Sequence, residues 1–273
     1  SQNKGLYSNE IFDLDRDRAG NLWFATWRGV ERFDTRTRQH RHFPQPPPWD
    51  TDGDRVLSIR AGPDGRIWTG NNRGTLVATD PATGKGRPIK LYRHDGSRFS
   101  SYGIWSLGFD RKGRVLAGSP NGLLRYDPRT DTNDHILYRK PDLYVSCAVY
   151  GPDGRLYVGT AEGVYVLDER DSVAFVLTTR NGLLNQNVRK LETDSVGNVW
   201  IATANGLHRY NPATAKLDYF SKADGLFVSD LSGGFRVLPT GELFVSGNYS
   251  FNIASPKSLS GNVHAPRLVL DNV

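Results

Sequence analysis

Three aspartates at alternate positions are the first residues in this sequence whose types and spacing could do chemistry. Asp13, Asp15 and Asp17 alternate in DLDRD, as oxygen ligands do at the start of a calcium-binding EF-hand loop. That loop needs glycine at its sixth position and glutamate at its twelfth, where this chain has Arg18 and Phe24. The spacing therefore predicts a polar strand face that runs into a turn.

Two histidines could share a metal ion. His40 and His42 in QHRHF lie on one face of a predicted strand, where two imidazoles could contact one zinc ion. No third ligand lies nearby, so an exposed outer strand explains the pair better. The segment ATGKG at 82–86 lacks the P-loop spacing of glycine and lysine, and no Ser-His-Asp signature is present. The sequence thus predicts no catalytic residue, no metal ligand and no cofactor.

Composition excludes several other classes of protein. The net charge is +6, but Lys and Arg are spread evenly and form no basic run of the kind that binds nucleic acid. No apolar run approaches the ~18 residues that span a bilayer. Cys147 is the only cysteine, so no internal disulfide can form, and its apolar neighbours are typical of a core. Because the chain contains no methionine, we expect it to be a segment of a longer protein.

The elements that would position a site come from a repeat. Six copies of one pattern recur, and their turn glycines are separated by 45, 48, 41, 43 and 44 residues, the period of a propeller blade. A bulky residue follows each turn glycine by three positions, and a small residue follows it by five. The turn glycines are Gly20, Gly65, Gly113, Gly154, Gly197 and Gly241, and the bulky residues are Trp23, Trp68, Leu116, Tyr157, Trp200 and Phe244.

Each copy of the repeat divides into four short strands, A to D. Segments such as IFDLD and NLWFAT alternate with period two, and polar glycine-containing turns separate them. The expected fold class is all-β: a β-propeller of four-stranded antiparallel blades, with six repeats visible and six or seven blades in the ring. We expect the propeller to span 1–262, with blades near 11–43, 56–92, 104–139, 145–178, 188–220 and 231–262, and 263–273 to be a closing strand or the lead-in to a C-terminal β-sandwich.

The repeat resembles the two-component regulator propeller family. GNLWFATWRGVERFD at 20–34 and GNVWIATANGLHRYN at 197–211 are close to that family's motif, and "GL" with a short polar spacer leads into strand A in KGLYSNEI, NGLLNQNV and DGLFVSDL. The resemblance implies a non-catalytic periplasmic sensor region of an inner-membrane signalling protein. It also implies partners in the parent chain, namely a β-sandwich and an output domain of histidine kinase or diguanylate cyclase type, and it allows a homodimer through the parent protein.

Strand order indicates which face of the propeller would hold a ligand. The B–C loops and the D–A connections emerge on the same face, and there the copies differ, as binding loops on a rigid scaffold do. Aromatic, Arg and Asn side chains suit a sugar or an anionic small molecule. The predicted ligand-binding residues are Trp27, Arg28, Asn72, Arg73, Asn205 and Tyr249 in B–C loops and Arg55, Tyr102, Tyr144 and Asn187 in D–A connections, with Asn9 and Glu162 as further loop candidates.

Two other functions remain open. The stretch GPDGRIWTGNNRGTLVATDPATGKG at 62–86 also resembles the repeats of streptogramin-lyase-like propeller enzymes. That resemblance implies a His/Glu pair with a divalent metal at the channel mouth, which the sequence does not locate. The third function is a protein-interaction platform, which would expose a large apolar patch on the blade rims.

Overall fold

The structure is a computed structural model, and its two compact units are described one at a time. The units are Ser1–Ala148 and Val149–Val273. The structure describes residues 5–44, 55–93, 95–99, 101–138, 143–220, 224, 234–238, 240–246 and 251–256.

Short strands make up nearly all of the regular structure in these described residues. The first unit contains β1 (Ile11–Arg16), β2 (Leu22–Thr26), β3 (Gly29–Phe33), β4 (His40–Phe43), β5 (Val56–Ala61), β6 (Ile67–Asn71), β7 (Leu76–Thr79), β8 (Gly86–Ile89), β9 (Ser106–Phe109), β10 (Val115–Ser119), β11 (Gly122–Asp127) and β12 (Thr132–Leu137). The strand β13 (Val145–Tyr150) spans the boundary between the units. The second unit contains β14 (Leu156–Thr160), β15 (Gly163–Leu167), β16 (Val173–Leu177), a 3-10 turn (Thr179–Asn181), β17 (Val188–Thr193), β18 (Val199–Thr203), β19 (Gly206–Asn211), β20 (Lys216–Phe220), β21 (Phe235–Val237), β22 (Leu243–Ser246) and β23 (Phe251–Ala254).

The strands form six sheets, each built from strands that are consecutive in the chain. Five sheets contain four strands, β1–β4, β5–β8, β9–β12, β13–β16 and β17–β20, and the sixth contains β21–β23 in the described part of the chain. These sheets are blades 1 to 6 of a β-propeller, and the predicted fold class is confirmed. The predicted closing segment 263–273 lies outside the described residues.

The strand-B aromatic residues have the packing role that their repetition predicts. Trp23, Trp68, Tyr157 and Trp200 are all fully buried. In the first unit, Trp68 of blade 2 packs against Tyr126 of blade 3 with ring centroids 5.7 Å apart. The burial of such large rings between neighbouring sheets supplies much of the hydrophobic stabilisation of the blades.

The small residue two positions after each aromatic residue allows close approach of the next blade. A Cβ added at Gly70 would lie 2.5 Å from Cγ2 of Ile104, so no larger residue fits there without a shift. Close packing of this kind explains why every copy keeps glycine, alanine or serine at this position.

In blades 1, 2, 4 and 5, a carboxylate of the A–B turn accepts a hydrogen bond from the polar atom of the strand-B ring. In blade 1, the indole Nε1 of Trp23 donates to Asp17 at 2.7 Å, and the backbone N–H of Asn21 donates to the same carboxylate at 2.9 Å. Equivalent bonds join Trp68 to Asp64 (3.2 Å), Tyr157 to Asp153 (2.9 Å) and Trp200 to Asp194 (2.8 Å). A buried indole N–H without a partner would cost free energy, and the turn aspartate supplies the partner.

These bonds settle what the DLDRD aspartates do. Asp17 is the turn carboxylate of blade 1. Asp13 accepts hydrogen bonds from Arg60 (2.7 Å) and from the backbone of Ile59 (3.1 Å), and Asp15 accepts one from the backbone of Ala61 (2.9 Å). The predicted polar strand face is confirmed, and its role is to join β1 to β5.

Blade 3 differs from the repeat at two places. Leu116 replaces the aromatic residue and has no donor, so the carboxylate of Asp110 binds the Nε of Arg114 at 2.6 Å instead. The first strand was expected to open at Ile104, but β9 begins at Ser106. The backbone N–H of Ile104 instead donates to the carbonyl of Asn71 in blade 2 at 2.9 Å, and the pairing with its own sheet starts with the bond from the N–H of Trp105 to the carbonyl of Gly118.

Candidate functional site

The two ends of blade 1 are defined by the pairing of its first two strands. Ile11 pairs with Thr26 at one end of the sheet, and Arg16 pairs with Leu22 at the other. We call the end with the B–C turn, Thr26–Gly29, the loop end, and the end with the A–B turn, Asp17–Gly20, the turn end. The same terms apply to the equivalent turns of the other blades.

The B–C turns share a backbone frame that sequence reasoning missed. The hydroxyl of Thr26 donates to the carbonyl of Gly29 at 3.0 Å and accepts the N–H of Arg28 at 3.2 Å. Ser119, Thr160 and Thr203 make the same pair of bonds in blades 3, 4 and 5, and the side-chain oxygen of Asn71 accepts two N–H groups in blade 2. The signal was the motif [TSN]-x-x-G at the end of strand B. It fixes the backbone, while the two residues between its ends can vary.

Gly29 shows why this turn ends in glycine. Its φ angle is 117°, in a region that favours glycine, and an added Cβ would lie 2.7 Å from the carbonyl oxygen of Phe43. The turn is therefore a rigid platform for the side chains of Trp27 and Arg28.

Three of the predicted ligand residues meet at the loop end of blades 1 and 2. The guanidinium carbon of Arg55 lies 3.5 Å from the centroid of a ring of Trp27, a close cation–π contact. The backbone N–H of Arg55 donates to Oδ1 of Asn72, and the N–H of Asn72 donates to the carbonyl of Arg55, both at 3.0 Å. Trp27, Arg55 and Asn72 come from three separate segments, and the fold brings them together.

Phe12 joins this group, although its position in a strand gave no reason to select it. Its ring is stacked near Trp27, with centroids 6.3 Å apart and planes 28° apart, and it remains 41% exposed. The Nε of Arg55 is buried and has no hydrogen-bond partner among the described residues. Phe12, Trp27, Arg55 and Asn72 are together called the Trp27 cluster.

Arg28 faces a different neighbour. Its guanidinium lies 5.9 Å from the ring of Tyr7, which is 62% exposed and packs against the imidazole of His42 with centroids 4.5 Å apart. Nδ1 of His42 lies 3.8 Å from the buried carboxylate of Glu31, which accepts the backbone N–H of Tyr7. Burial lowers the pKa of His42, and the nearby Glu31 opposes that shift only in part.

Both histidines of QHRHF pack against aromatic rings. His40 packs on Phe33 with ring centroids 4.7 Å apart, and His42 packs on Tyr7. Among the residues that the structure describes, no group of three or more His, Cys, Asp or Glu side chains is arranged to hold a metal ion.

Arg73 lines a cleft at the edge of blade 2. The cleft has a volume of about 250 Å³, a floor of Ile89, Leu91 and Phe99, and a second guanidinium from Arg98. Arg73 follows Asn72 directly in the chain, so one B–C turn contributes both to the Trp27 cluster and to this cleft.

The other predicted residues of the first unit lie apart from these contacts. Tyr144 packs against Trp105 with ring centroids 5.8 Å apart, and both rings are exposed. Tyr102 is 87% exposed. These tyrosines are accessible, but the structure shows no contact between them and the Trp27 cluster in the described residues.

In the second unit, Asn187 and Asn205 lie in two segments that a backbone hydrogen bond joins. The N–H of Ala204 donates to the carbonyl of Asn187 at 3.2 Å, and the N–H of Asn205 donates to the hydroxyl of Thr203 at 3.4 Å. Both asparagines are exposed. Tyr249 lies outside the described residues.

Comparison with known proteins finds a family repeat in one part of the chain. Residues 182–205 match the family model described as Two component regulator propeller. The chain carries a two component regulator propeller repeat. The matched stretch contains Asn187, Trp200 and Asn205, so the family repeat includes a buried strand-B aromatic residue and two predicted ligand residues. The predicted family is confirmed by this match, and no curated protein matches the chain in sequence.

Solved structures share the fold of this propeller. Virginiamycin B lyase from Staphylococcus aureus is similar with a TM-score of 0.70 and 12% identity, over 90% of this chain and 84% of that chain. The WD40 beta propeller domain of Doa1 is similar with a TM-score of 0.68 and 16% identity, over 94% and 82%. At these identities the likeness shows the fold alone.

The extracellular domain of a signalling system is also among the similar structures. The extracellular domain of a putative one component system from B. thetaiotaomicron has a TM-score of 0.54 and 16% identity, over 96% of this chain and 44% of that chain. This chain therefore spans less than half the length of that domain. No helix in the described residues is long and apolar enough to cross a membrane.

Proposed function

We propose that this chain is a non-catalytic extracytoplasmic sensor module that binds a small molecule or glycan at its loop end, through the Trp27 cluster. The observation that carries the proposal is the Arg55 guanidinium stacked on Trp27 and tied by its backbone to Asn72. The two component regulator propeller repeat and the likeness to an extracellular sensor domain support the same function.

The chemistry of the Trp27 cluster favours one of two kinds of ligand, a sugar or a small molecule with a carboxylate group. The rings of Phe12 and Trp27 offer apolar faces on which a sugar ring can stack. The stack on Trp27 uses the face of the Arg55 guanidinium and leaves its edge, which is the part that binds carboxylates. Because the Nε of Arg55 is buried and has no partner among the described residues, a ligand oxygen there would satisfy it.

The family resemblance supports a proposal for the cellular setting. We propose a periplasmic location for the propeller as part of an inner-membrane signalling protein. Its partners would be a β-sandwich and an output domain of the parent chain, and the parent protein could form a homodimer. Binding would stabilise one state of this assembly by its difference in affinity for the two states.

A thermal-shift screen with neutral oligosaccharides, uronic-acid oligosaccharides and small carboxylates tests the proposal. A ligand that binds the folded state raises the unfolding midpoint by mass action. For a ligand found in this way, calorimetric titration should show binding lost in Trp27→Ala and at least about tenfold weaker in Arg55→Gln, since a hydrogen bond to a charged group contributes about 1.5–3 kcal/mol.

Trp105→Ala is the matched control, because Trp105 is an exposed tryptophan of the same unit in contact with Tyr144. Binding should survive in that variant. Equal loss in Trp27→Ala and Trp105→Ala would remove the Trp27 cluster from the proposal, and chemical conversion of the bound ligand would favour an enzyme over a sensor.

A further inference from the structure

We propose that the turn ends of blades 1 to 3 form a second site, a basic cleft that binds a small multivalent oxyanion such as phosphate or a tricarboxylate. The cleft has a volume of about 370 Å³ and belongs entirely to the first unit. It is lined by Arg16, Arg18, Ala61, Gly62, Pro63, Phe109, Asp110, Arg111 and Gly113. It lies at the end of blade 1 opposite to the Trp27 cluster, because Arg16 and Ile11 are at opposite ends of β1.

Three successive A–B turns each contribute one part of the cleft. Blade 1 supplies Arg16 and Arg18, blade 2 supplies the Ala61–Gly62–Pro63 segment, and blade 3 supplies Arg111. All three arginines are exposed. Three guanidinium groups from two blades thus surround one concave space.

Two of these guanidiniums are available to a ligand. Neither Arg16 nor Arg18 forms an ion pair or a side-chain hydrogen bond with any residue that the structure describes. Arg16 lies against the backbone of its own turn, since an added Cβ on Gly20 would be 3.1 Å from its Nη2. A guanidinium in that position keeps its N–H groups for an oxygen acceptor.

The acidic residue in the lining does not cancel this positive charge. The carboxylate of Asp110 is 2% exposed and is engaged by Arg114 at 2.6 Å, with Arg125 at 3.6 Å. The neighbouring carboxylates of blade 1 accept hydrogen bonds from neutral donors, Asp15 from the backbone N–H of Ala61 and Asp17 from the indole of Trp23, and neither lines the cleft. The accessible positive charges of the cleft are therefore those of Arg16 and Arg18, and Arg111 is a third arginine in its lining.

The lining chemistry sets the class of ligand. Guanidinium groups bind carboxylate and phosphate oxygens with paired N–H donors, and several of them around one cleft favour an anion with several oxygens over a halide. Phe109 and Pro63 add apolar contacts at the edge, which suit a small organic anion as well as phosphate. This site is independent of the sugar-binding proposal at the loop end.

Titration calorimetry on the whole 273-residue chain tests the site, with inorganic phosphate and citrate as separate probes in a chloride buffer. We expect saturable binding of at least one probe, weaker at higher ionic strength because salt screens the charges. The double variant Arg16→Gln/Arg18→Gln should weaken it at least about tenfold, from the loss of charge-assisted hydrogen bonds. The relative affinities of phosphate and citrate identify which kind of oxyanion the cleft prefers.

Two controls test whether binding depends on this cleft, and not on the overall charge of the chain or on the loop end. Arg36→Gln/Arg170→Gln removes the same charge at exposed C–D turns and should leave binding unchanged, as should Trp27→Ala. The single variant Arg18→Gln, at an exposed turn residue, gives an intermediate loss and covers the case in which the double variant does not fold. Absence of binding for both probes, or equal weakening in the control pair, would overturn the proposal.

Discussion

The two ends of blade 1 use similar residue types in opposite ways. At the turn end, Asp17 and Trp23 are bonded to each other and buried or partly buried. At the loop end, Trp27 holds a guanidinium from the next blade, next to the exposed ring of Phe12. Trp23 thus has a structural role in the core, whereas Trp27, four residues later, has a role at the surface.

The difference teaches which part of a repeat is free to change. The Asp–aromatic bond recurs in blades 1, 2, 4 and 5, since each blade must satisfy the polar atom of a buried ring. The B–C turn is fixed only through its backbone, by a hydroxyl or amide oxygen and a glycine. The side chains between those positions are not part of the shared backbone frame and differ from blade to blade, so a binding surface can be built there.

The largest expected effect compares the two tryptophans of blade 1. Trp23→Ala should lower the free energy of unfolding by about 3–5 kcal/mol, because it empties a fully buried space and leaves Asp17 without its indole. Trp27→Ala should lower it by about 1 kcal/mol or less, as substitutions away from the core do. Chemical denaturation of both variants measures these free energies of unfolding. Equal losses in the two variants would contradict the different roles of Trp23 and Trp27.

The stability of the fold is expected to depend on pH through a histidine at the loop end of blade 5. His208 is fully buried and accepts the N–H of Leu184 at 2.9 Å, and burial lowers its pKa to about 4. Because an unfolded histidine has a pKa of about 6.5, acid favours the unfolded chain. This contribution is fully present above pH 6.5 and is lost as the pH falls toward 4, by up to about 3 kcal/mol.

Unfolding midpoints measured between pH 7 and pH 4 check this expectation. His208→Gln keeps an acceptor for Leu184 but cannot take up the proton, so its midpoint should fall less over that range than that of the natural chain. Parallel pH curves for the two proteins would show that another group controls acid stability.

A smaller effect is expected at the turn carboxylates. Asp17→Ala leaves the buried indole of Trp23 without its acceptor and should cost about 1–3 kcal/mol. Burial raises the pKa of Asp17, but the hydrogen bonds from Trp23 and Asn21 outweigh it and hold the pKa below its usual value, so the carboxylate stays charged at neutral pH. The exposed Asp134→Ala is a control for charge removal, and an equal cost there would contradict a specific role for the indole bond.

The fold could be predicted from the sequence because its determinants are local and repeated. The turn glycines, the bulky strand-B residues and the small residues after them keep the same spacing in six copies. The glycines adopt the positive φ of the turn, and the bulky and small residues pack the blades together. The Trp23 prediction followed from this repetition. The start of β9 did not, because the bond from Ile104 to Asn71 depends on a neighbouring blade.

The candidate site could be predicted only as a set of loops. Trp27, Arg55 and Asn72 were selected singly, and their meeting depends on how two blades pack, which no local pattern encodes. Phe12 was missed because alternation marks it only as a strand residue. Asp17 was predicted only as part of a polar strand face, because its bond to Trp23 joins residues six apart across the turn and no sequence pattern marks it.

The central claim is that the loop end of blades 1 and 2 binds the ligand while the turn end serves the fold and a separate anion. Hydrogen–deuterium exchange with and without a saturating neutral oligosaccharide from the thermal-shift screen tests it most directly. We predict protection confined to peptides that contain Thr26–Gly29, Arg55 and Asn72, with no change at Asp17–Gly20. Protection at Asp17–Gly20 alone, or at neither end, would contradict the account.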